Sequence, residues 1–414
     1  MKDKEQVILV GVETIENKAT FFSSMSELAS LTQTADGEVV FKLIQKRDQF
    51  DRQTLIGRGK LAELKQKVEE YQADLVIFDH ELSPRQNQLL EDSLAIRVID
   101  RVQLILDIFA QRARSKEGKL QVELAQLEYL FPRIIGQGKI LSRLGGGIGT
   151  RGPGETKLES DRRLIRKKIT AIRHELKSVE AHRQRTRQDR LNHNIFQIGL
   201  IGYTNAGKST ILNLLTQADA YEENQLFATL DPLTKKWRLS SGMEVTVTDT
   251  VGFIQDLPTQ LVDAFHSTLE ESQNMDLLLH VVDVSATDRL QQEQTVVELI
   301  DDLDLHHIPI LTVYNKADLI DEKQFIPTQK PYLLISAKRS ESKEELSQAI
   351  KAEMVKILYP YQLTLASDEG KFLEKLRRQT LLLETDFDED KQLYKVNGLA
   401  KKGSFALGRM DQKP

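Results

Sequence analysis

Residues 202–210 read Gly-Tyr-Thr-Asn-Ala-Gly-Lys-Ser-Thr, which matches the phosphate-binding pattern Gly-x-x-x-x-Gly-Lys-Ser/Thr. The run before it, 194–201, is short and mostly apolar, as in a buried strand, and a helical pattern begins at Ser209. A glycine-rich turn between a strand and a helix directs backbone N–H groups at an anion. A chance match in an ordinary glycine turn is the alternative, and the flanking strand and helix disfavour it. The stretch therefore predicts an α/β domain that binds a nucleotide.

The residue types within this loop divide the task of holding the phosphates. Lys208 supplies a point charge to the β- and γ-phosphates, and the Ser209 hydroxyl is a ligand for Mg²⁺. The residues expected to contact the nucleotide here are Gly202, Tyr203, Thr204, Asn205, Ala206, Gly207, Lys208, Ser209 and Thr210.

Two segments after the loop are expected to respond to the γ-phosphate. Residues 244–252 read as a strand that ends in Asp-x-x-Gly, where Asp249 can hold Mg²⁺ through water and the Gly252 N–H can sense the γ-phosphate. Between the two motifs, Thr229 is the candidate threonine that joins the Mg²⁺ shell in the triphosphate state, and Thr234 is a weaker alternative. Lys208, Thr229 and Gly252 are thus the expected catalytic residues, and Ser209, Thr229 and Asp249 the metal ligands. The further nucleotide contacts in these segments are Phe227, Ala228, Thr250 and Val251.

The base is expected to be read by Asn315, Lys316 and Asp318, which follow the apolar run 308–314. A carboxylate only accepts hydrogen bonds, so Asp318 suits the N1–H and 2-amino donors of guanine, which adenine lacks at these positions. A second segment, Ser336, Ala337 and Lys338, would add a backbone N–H to the guanine O6. The order of these motifs on successive strand ends predicts a GTP site.

Composition bounds the class of protein. The chain has 414 residues, 40% of them apolar and 29% charged, which is ordinary for a globular protein of several domains. It contains no cysteine, which excludes disulfides, thiolate metal sites and cysteine nucleophiles. The apolar run near the N-terminus is too short for a signal peptide, and no run approaches the length of a membrane span. These features predict a cytoplasmic protein without a membrane segment.

Four domains are expected. Residues 1–101 alternate strand-like and helical runs, which indicates a small α/β domain with a mostly parallel sheet. Residues 102–192 carry two apolar heptad stripes that predict an antiparallel helical hairpin. Residues 193–356 form the P-loop GTPase domain, with a mostly parallel sheet flanked by helices, and 357–414 a small α+β domain. The motif 57–60, Gly-Arg-Gly-Lys, is more simply a glycine turn and helix cap than an anion site, because the full phosphate-loop spacing is missing.

The connecting loop of the hairpin, 134–156, is rich in glycine and carries several basic residues. From 133 to 190 there are 16 Lys or Arg against 6 Asp or Glu, although the whole chain has a net charge of −5. A flexible connection with a solvated basic face is the plain alternative, but basic side chains among exposed backbone favour a phosphate-rich partner, and a flexible tip suits RNA better than DNA. The candidate RNA contacts are Arg143, Gly145, Gly146, Gly147, Arg151, Gly152, Arg162 and Arg163.

Together these motifs resemble the HflX family of ribosome-associated GTPases. The most specific part is the sequence 144–156, Leu-Gly-Gly-Gly-Ile-Gly-Thr-Arg-Gly-Pro-Gly-Glu-Thr, and the resemblance extends to 55–60 and 79–86. It implies binding of GTP and GDP, and binding to the large ribosomal subunit with the loop at ribosomal RNA near the peptidyl transferase centre. It also implies separation of stalled or idle ribosomes into subunits, especially under stress.

One position departs from the Ras pattern. Phe253 follows Asp-x-x-Gly where Ras-type GTPases have a glutamine that orients water, so slow intrinsic hydrolysis with activation by the ribosome is expected. Asn205 resembles a K⁺ ligand of related GTPases, which makes K⁺ stimulation a secondary hypothesis. No arginine finger in cis is evident, and Arg151 stays open for that role.

Two other functions remain open at this point. One is a GTP-regulated RNA-remodelling or ribosome-assembly factor with a second nucleotide site, for ATP, at 57–60. The other is a GTP-sensing scaffold for a protein partner. A monomer is expected in each case.

Overall fold

The computed structural model describes residues 4–143, 160, 162–179, 195–216, 226–227, 232–250, 252–253 and 273–410, of which 134–143 and 410 are described by their backbone only. These residues form two compact units, one of residues up to 179 together with 226–227, and one of the remaining residues from 195 onward. Within these residues no helix combines the length and apolarity needed to cross a membrane.

The first unit begins as an alternating α/β domain and continues into long helices. Its elements are β1 (Gln6–Glu13), α1 (Phe21–Thr34), β2 (Glu38–Lys46), α2 (Arg58–Tyr71), β3 (Leu75–Phe78), α3 (Pro84–Leu94), β4 (Arg97–Asp100), α4 (Arg101–Arg112), α5 (Lys116–Arg143) and α6 (162–179).

The sheet of the first unit has the order β2-β1-β3-β4, and all its neighbouring strands run parallel. Both of its faces are covered by helices, which is why β1 and β3 are almost continuously apolar. One face carries Ile8, Val76 and Val98 into a core that also contains Leu64 of α2 and Leu90 of α3. The parallel α/β domain expected from the sequence is therefore present.

Buried polar side chains fill the carboxyl edge of this sheet. Arg101 Nη1 lies 3.0 Å from Asp79 Oδ1 and donates to the Ser24 hydroxyl at 3.0 Å, and Arg101 Nη2 pairs with Glu27. The Arg101 and Asp79 side chains are only 4% exposed, so each charge is balanced by the other instead of by water.

A second buried cluster at the same edge centres on Asp100. Its carboxylate accepts from the Tyr129 hydroxyl at 2.7 Å, from Arg133 at 3.1 Å and from the Leu82 N–H at 2.9 Å. Burial is the first cause that raises the pKa of Tyr129, and the Asp100 charge adds to it, so this hydroxyl stays a donor. Because Tyr129 and Arg133 belong to α5, the cluster fixes the base of the long helices on the sheet.

The helical hairpin differs from expectation at its tip. The sequence predicted a connecting loop over 134–156, but α5 continues through Pro132 to Arg143, so residues 134–143 of that expected loop are helical. A proline removes one helical hydrogen bond without necessarily ending a helix when the flanking turns are held. Here Arg133 is held by Asp100 and by the Leu82 carbonyl, immediately after the proline.

The second unit contains the expected nucleotide domain and a small C-terminal sheet. Its elements are β5 (Phe196–Gly202), α7 (Lys208–Thr216), β6 (Leu233–Arg238), β7 (Glu244–Asp249), β8 (Leu277–Asp283), α8 (Arg289–Asp302), β9 (Ile310–Asn315), β10 (Tyr332–Leu334), α9 (Ser342–Ile357), β11 (Tyr359–Ala366), α10 (Gly370–Gln379), β12 (Leu381–Asp388), β13 (Leu393–Ala400) and α11 (Phe405–Met410).

The larger sheet has the order β10-β9-β8-β5-β7-β6, and only β6 runs antiparallel to its neighbour. Buried Val, Leu and Ile side chains of the central strands form its core, which also includes Trp237 on β6, 6% exposed. Leu381 and Leu399 of the C-terminal sheet belong to the same cluster, and Lys401 forms an ion pair with Asp276 at 2.7 Å. The C-terminal sheet, β11-β13-β12, thus packs as part of this unit.

Candidate functional site

The phosphate loop lies between β5 and α7, and two of its glycines are required by close contacts. Gly202 has a φ of +151°, and a Cβ there would lie 2.2 Å from the Val281 carbonyl oxygen. Gly207 has a φ of +97°, and a Cβ there would lie 2.2 Å from the Asn315 Nδ2. A larger residue at either position would displace a backbone or an amide that shapes the loop. The glycine pattern seen in the sequence is therefore a steric requirement of this site.

Lys208 begins α7 and turns its amine into the loop. Its Nζ donates to the carbonyl oxygens of Gly202 at 3.0 Å and Tyr203 at 2.9 Å. Burial lowers the pKa of Lys208 to about 8, against the opposing influence of the Asp249 charge. A bound phosphate would favour the charged form, so this amine is suited to neutralising phosphate oxygens.

The two predicted metal ligands that the structure describes lie together. The Ser209 hydroxyl donates to Asp249 Oδ2 at 2.7 Å, which joins the start of α7 to the end of β7. A hydroxyl and a carboxylate are the oxygen donors that Mg²⁺ takes when phosphates and water complete its shell. Among the described residues no cluster of three or more His, Asp or Glu could hold a metal by itself. The residues therefore fit the ion.

The Asp-x-x-Gly segment is tied to the phosphate loop through the backbone. The Thr204 N–H donates to the Phe253 carbonyl at 2.7 Å, and the Phe253 N–H donates to the Gly202 carbonyl at 3.2 Å. A Cβ on Gly252 would lie 2.8 Å from Thr204 Cγ2 and 2.9 Å from Lys208 Nζ. The Phe253 side chain is 3% exposed, so it is a core residue and offers no group to orient water. Thr250, predicted as a nucleotide contact, donates its hydroxyl to the Leu200 carbonyl at 2.7 Å.

Asn315 links the base-reading loops to the phosphate loop. Its Nδ2 donates to the Ala206 carbonyl at 2.9 Å, and its Oδ1 accepts from the Ala337 N–H at 2.9 Å. Three predicted segments are therefore joined by one amide side chain. The sequence marked Asn315 only as part of a motif and gave no sign of this bridge.

The predicted base-reading residues lie on two loops that follow the ends of β9 and β10. The Ser336 hydroxyl is the main cause that holds the pKa of Asp318 below its usual value, and Lys338 and Arg339 contribute, so an exposed carboxylate acceptor is present. Lys316 adopts a left-handed conformation, with φ of 65°, and its amine lies 2.6 Å from Asp283 Oδ2. Sequence reasoning missed Asp283, although it ends the buried run 277–282 just as Asp249 ends its own strand.

Several predicted residues are placed elsewhere or lie outside the described part. The Phe227 ring is buried in the first unit, edge-on to Phe109 with centroids 4.5 Å apart. Thr234, the weaker switch candidate, is a strand residue whose hydroxyl bonds to that of Thr248 at 3.0 Å. Asn205 is exposed with a left-handed φ of 62°. The residues outside the described part are Ala228, Thr229 and Val251.

The RNA candidates are described only in part. Arg143 is the last residue of α5, and Gly145, Gly146, Gly147, Arg151 and Gly152 lie outside the described residues. Arg162 and Arg163 are on α6, with Arg163 exposed and the Arg162 guanidinium 6.0 Å from the centre of the Phe131 ring.

The motif 57–60 has a structural explanation. Gly57 caps α2 in an extended conformation and donates its N–H to Gln45 Oε1 at 2.9 Å. Lys60 pairs with Glu63 at 2.9 Å, one turn along the same helix. These contacts agree with a helix cap.

Comparisons with known proteins cover the whole chain. Residues 23–110 match the family described as "GTP-binding GTPase N-terminal", 112–190 the "GTP-binding GTPase Middle Region", and 197–316 the "50S ribosome-binding GTPase". The chain is similar to GTPase HflX of Alkalihalophilus pseudofirmus, with 49% identity across 100% of this chain and 97% of that protein. GTPase HflX of Escherichia coli is 39% identical across 93% of this chain and 91% of its own length.

A GTP-binding protein of Sulfolobus solfataricus, solved with GDP, is 24% identical over 84% of this chain and 98% of its own, with a TM-score of 0.45.

Proposed function

The chain belongs to the HflX family of GTPases, and from that premise we propose that it binds the large ribosomal subunit and separates stalled or idle ribosomes into subunits. GTP hydrolysis would then control its release. We further propose that it acts in the cytoplasm under stress and that its glycine-rich tip contacts ribosomal RNA.

The sorting of charges on α6 supports an RNA-binding role. On one side, Lys168 pairs with Glu123 at 2.5 Å and Arg173 with Glu128 at 2.8 Å, both across to α5. On the other, Arg163 and Lys167 are exposed and form no ion pair with any residue that the structure describes. Unneutralised basic side chains that follow a glycine-rich segment in the sequence fit a polyphosphate backbone. This separation of paired and unpaired cations is the observation that carries the proposal.

The nucleotide site supports a slow enzyme that depends on a partner. Lys208 and the loop N–H groups would hold the phosphates, and Ser209, Asp249 and Thr229 would hold Mg²⁺, which neutralises phosphate charge. Because Phe253 is buried and offers no hydrogen-bonding side chain, the described site lacks a residue that positions water in the manner of glutamine. We expect slow intrinsic turnover that the ribosome increases.

The splitting assay tests the function directly. Whole ribosomes are sedimented with the protein and a non-hydrolysable GTP analogue, and free subunits should accumulate. Deletion of 145–154 should abolish splitting while GTP binding is unchanged. Intact ribosomes at saturating protein and analogue would contradict the proposal.

Matched variants test the RNA surface. Arg163→Ala with Lys167→Ala should weaken binding to the large subunit and reduce its salt dependence, because about two phosphate contacts are lost. Lys168→Ala with Arg173→Ala removes the same charge from positions neutralised by α5, so it should affect binding much less. Equal losses from both pairs would show that only net charge matters.

K⁺ stimulation has its own test. Asn205 is exposed at the rim of the phosphate loop, where a cation and a nucleotide could both reach it. Hydrolysis should be faster in K⁺ than in Na⁺ at equal ionic strength, and Asn205→Ala should remove the difference. Equal turnover of the unmodified protein in both salts would rule out this role.

A further inference from the structure

A buried polar cluster lies directly behind the loops that read the base. Tyr314 precedes Asn315 on β9, and its side chain is fully buried. Its hydroxyl accepts from the Thr328 and Gln329 N–H groups, both at 3.1 Å, and lies 3.2 Å from Glu293 Oε2 and 2.8 Å from Thr328 Oγ1. A hydroxyl can accept two hydrogen bonds and donate one. With both N–H groups donating to it, the Tyr314 hydroxyl gives its single proton to either Glu293 or Thr328, which fills its capacity.

Glu293 supplies the charge at the centre of the cluster. It projects from α8, is 4% exposed, and lies 3.2 Å from Arg289 Nε on the preceding turn. It also accepts a hydrogen bond from the Thr328 hydroxyl. A buried carboxylate costs several kcal/mol unless it is paired and hydrogen-bonded, so its partners are held firmly. The cluster therefore joins α8, the end of β9 and the segment around Thr328.

The segment held in this way connects the two base-reading loops. The chain from Asp318 to Ser336 passes through Phe325 and Thr328. The Phe325 ring packs against Tyr314 with centroids 4.8 Å apart, and the Arg289 guanidinium lies 5.1 Å from the centre of the Phe325 ring. The middle of the connection is thus fixed by side chains that lie outside the base-reading loops.

We propose that Tyr314, Glu293 and Thr328 form a positioning network that sets guanine specificity. By fixing the connection between Asp318 and Ser336, they hold the Asp318 carboxylate at a constant position relative to the 336–338 loop, which is itself tied to Asn315. None of the three belongs to the predicted nucleotide contacts, so they act through the loops. The inference rests on the proposed reading of guanine by Asp318.

Discrimination between guanine and hypoxanthine measures this positioning. Hypoxanthine lacks the 2-amino group, so Asp318 loses one of its two hydrogen bonds to the base. A hydrogen bond to a charged group contributes about 1.5–3 kcal/mol, which corresponds to roughly 10- to 150-fold in affinity. That difference exists only while the carboxylate is held in place. A looser loop should therefore lower the preference for GDP over IDP, while the phosphate contacts, common to both ligands, are kept.

The experiment compares the dissociation constants of GDP and IDP in the full chain. Tyr314→Phe should lower the ratio of the IDP dissociation constant to the GDP dissociation constant by about tenfold, mainly through weaker GDP binding. The loss of the hydrogen bond between Asp318 and the 2-amino group has an effect of about that size. Thr328→Val and Glu293→Gln should change the ratio in the same direction, and they carry the test if Tyr314→Phe does not fold.

The control is a second buried tyrosine in the same unit. The Tyr361 hydroxyl bonds to the Thr380 hydroxyl at 2.6 Å in the C-terminal domain, so Tyr361→Phe should lower stability without changing the ratio.

Asp318→Asn separates the positioning network from the guanine assignment on which it rests. If it leaves the ratio unchanged, the assignment of Asp318 to guanine fails. A second outcome would overturn the positioning network. In it, Asp318→Asn lowers the ratio of the IDP and GDP dissociation constants, but the Tyr314, Thr328 and Glu293 variants have the same ratio as the unmodified protein, even if they bind both ligands less tightly.

Discussion

The N-terminal sheet and the GTPase sheet differ in what occupies the carboxyl ends of their parallel strands. In open α/β sheets this edge is the usual place for a ligand. In the second unit this edge carries the phosphate loop, in which Gly202 and Gly207 adopt conformations that favour glycine. In the first unit the same edge is filled by Asp79, Arg101 and Asp100 with their own partners.

The difference teaches that a shared architecture does not imply a shared function. The N-terminal sheet uses its strand-end charges to attach helices, since Asp100 holds Tyr129 and Arg133 of α5. The GTPase sheet instead places the phosphate loop and the Lys208 amine at this edge. On this basis the first unit is a support for the helical hairpin, and a second nucleotide site at 57–60 is disfavoured.

The largest expected effect comes from opening the filled edge. Arg101→Ala leaves the Asp79 and Glu27 carboxylates buried without their cation, which should cost about 3–5 kcal/mol in the free energy of unfolding. Arg97→Ala is the control, because its pair with Glu5 is exposed and 3.6 Å long, and such pairs contribute about 0–1 kcal/mol. Urea unfolding followed by circular dichroism measures both. Similar small losses would mean that the filled edge is not structural.

The next effect tests which edge binds nucleotide. Lys208→Ala removes the charge that faces the phosphates and should lower GTP hydrolysis by about 10²- to 10³-fold, the usual effect of losing one such donor. Lys60→Ala should leave GTP binding unchanged, because that amine pairs with Glu63. ATP binding that survives Lys208→Ala but is lost in Lys60→Ala would establish a second nucleotide site. The N-terminal sheet would then also bind a ligand at its carboxyl edge.

Sequence alone predicted the open edge far better than the filled one. A phosphate loop needs glycine and lysine at a fixed spacing, so its residues can be identified from the order of the sequence alone. Arg101 and Asp79 are far apart in the chain, and only the parallel pairing of β3 with β4 brings them together. The continuation of α5 past 134 was missed for the same reason, because the contacts of Arg133 that hold this helix are tertiary. The role of Asn315 as a bridge also depends on the meeting of distant loops.

A buried histidine in the GTPase sheet gives a pH test of moderate size. Burial, followed by the nearby Lys208 charge, lowers the pKa of His280 to about 4. Between about pH 6.5 and 4, His280 is therefore protonated in the unfolded chain but neutral in the folded chain. Stability is complete above pH 6.5 and falls as the pH decreases, by about 2 kcal/mol at pH 5.

Urea unfolding at pH 7 and pH 5 measures this loss. His280→Leu should flatten the dependence by that amount, while the contributions of other groups are common to both proteins. An identical pH dependence in the variant would contradict a neutral His280.

The smallest expected change in stability comes from a glycine with open space around it, in contrast to a glycine of the phosphate loop. Gly59 lies in the first turn of α2, where an added Cβ would have open space within 4 Å, so Gly59→Ala should raise stability by about 0.5 kcal/mol. Gly207→Ala should instead abolish tight GDP binding, because its Cβ would displace Asn315. Thermal unfolding and nucleotide titration of both variants measure the contrast. A loss of stability in Gly59→Ala would contradict the open space around this position.

Trp237 has a practical consequence as a spectroscopic reporter. It is the single tryptophan of the chain and lies buried on β6, whose partner strand β7 ends at Asp249. Tryptophan emission therefore follows the unfolding of the GTPase unit alone, and it can be recorded without a label. The same indole can serve as an energy donor to a fluorescent guanine nucleotide, so association rates are accessible on the unmodified protein.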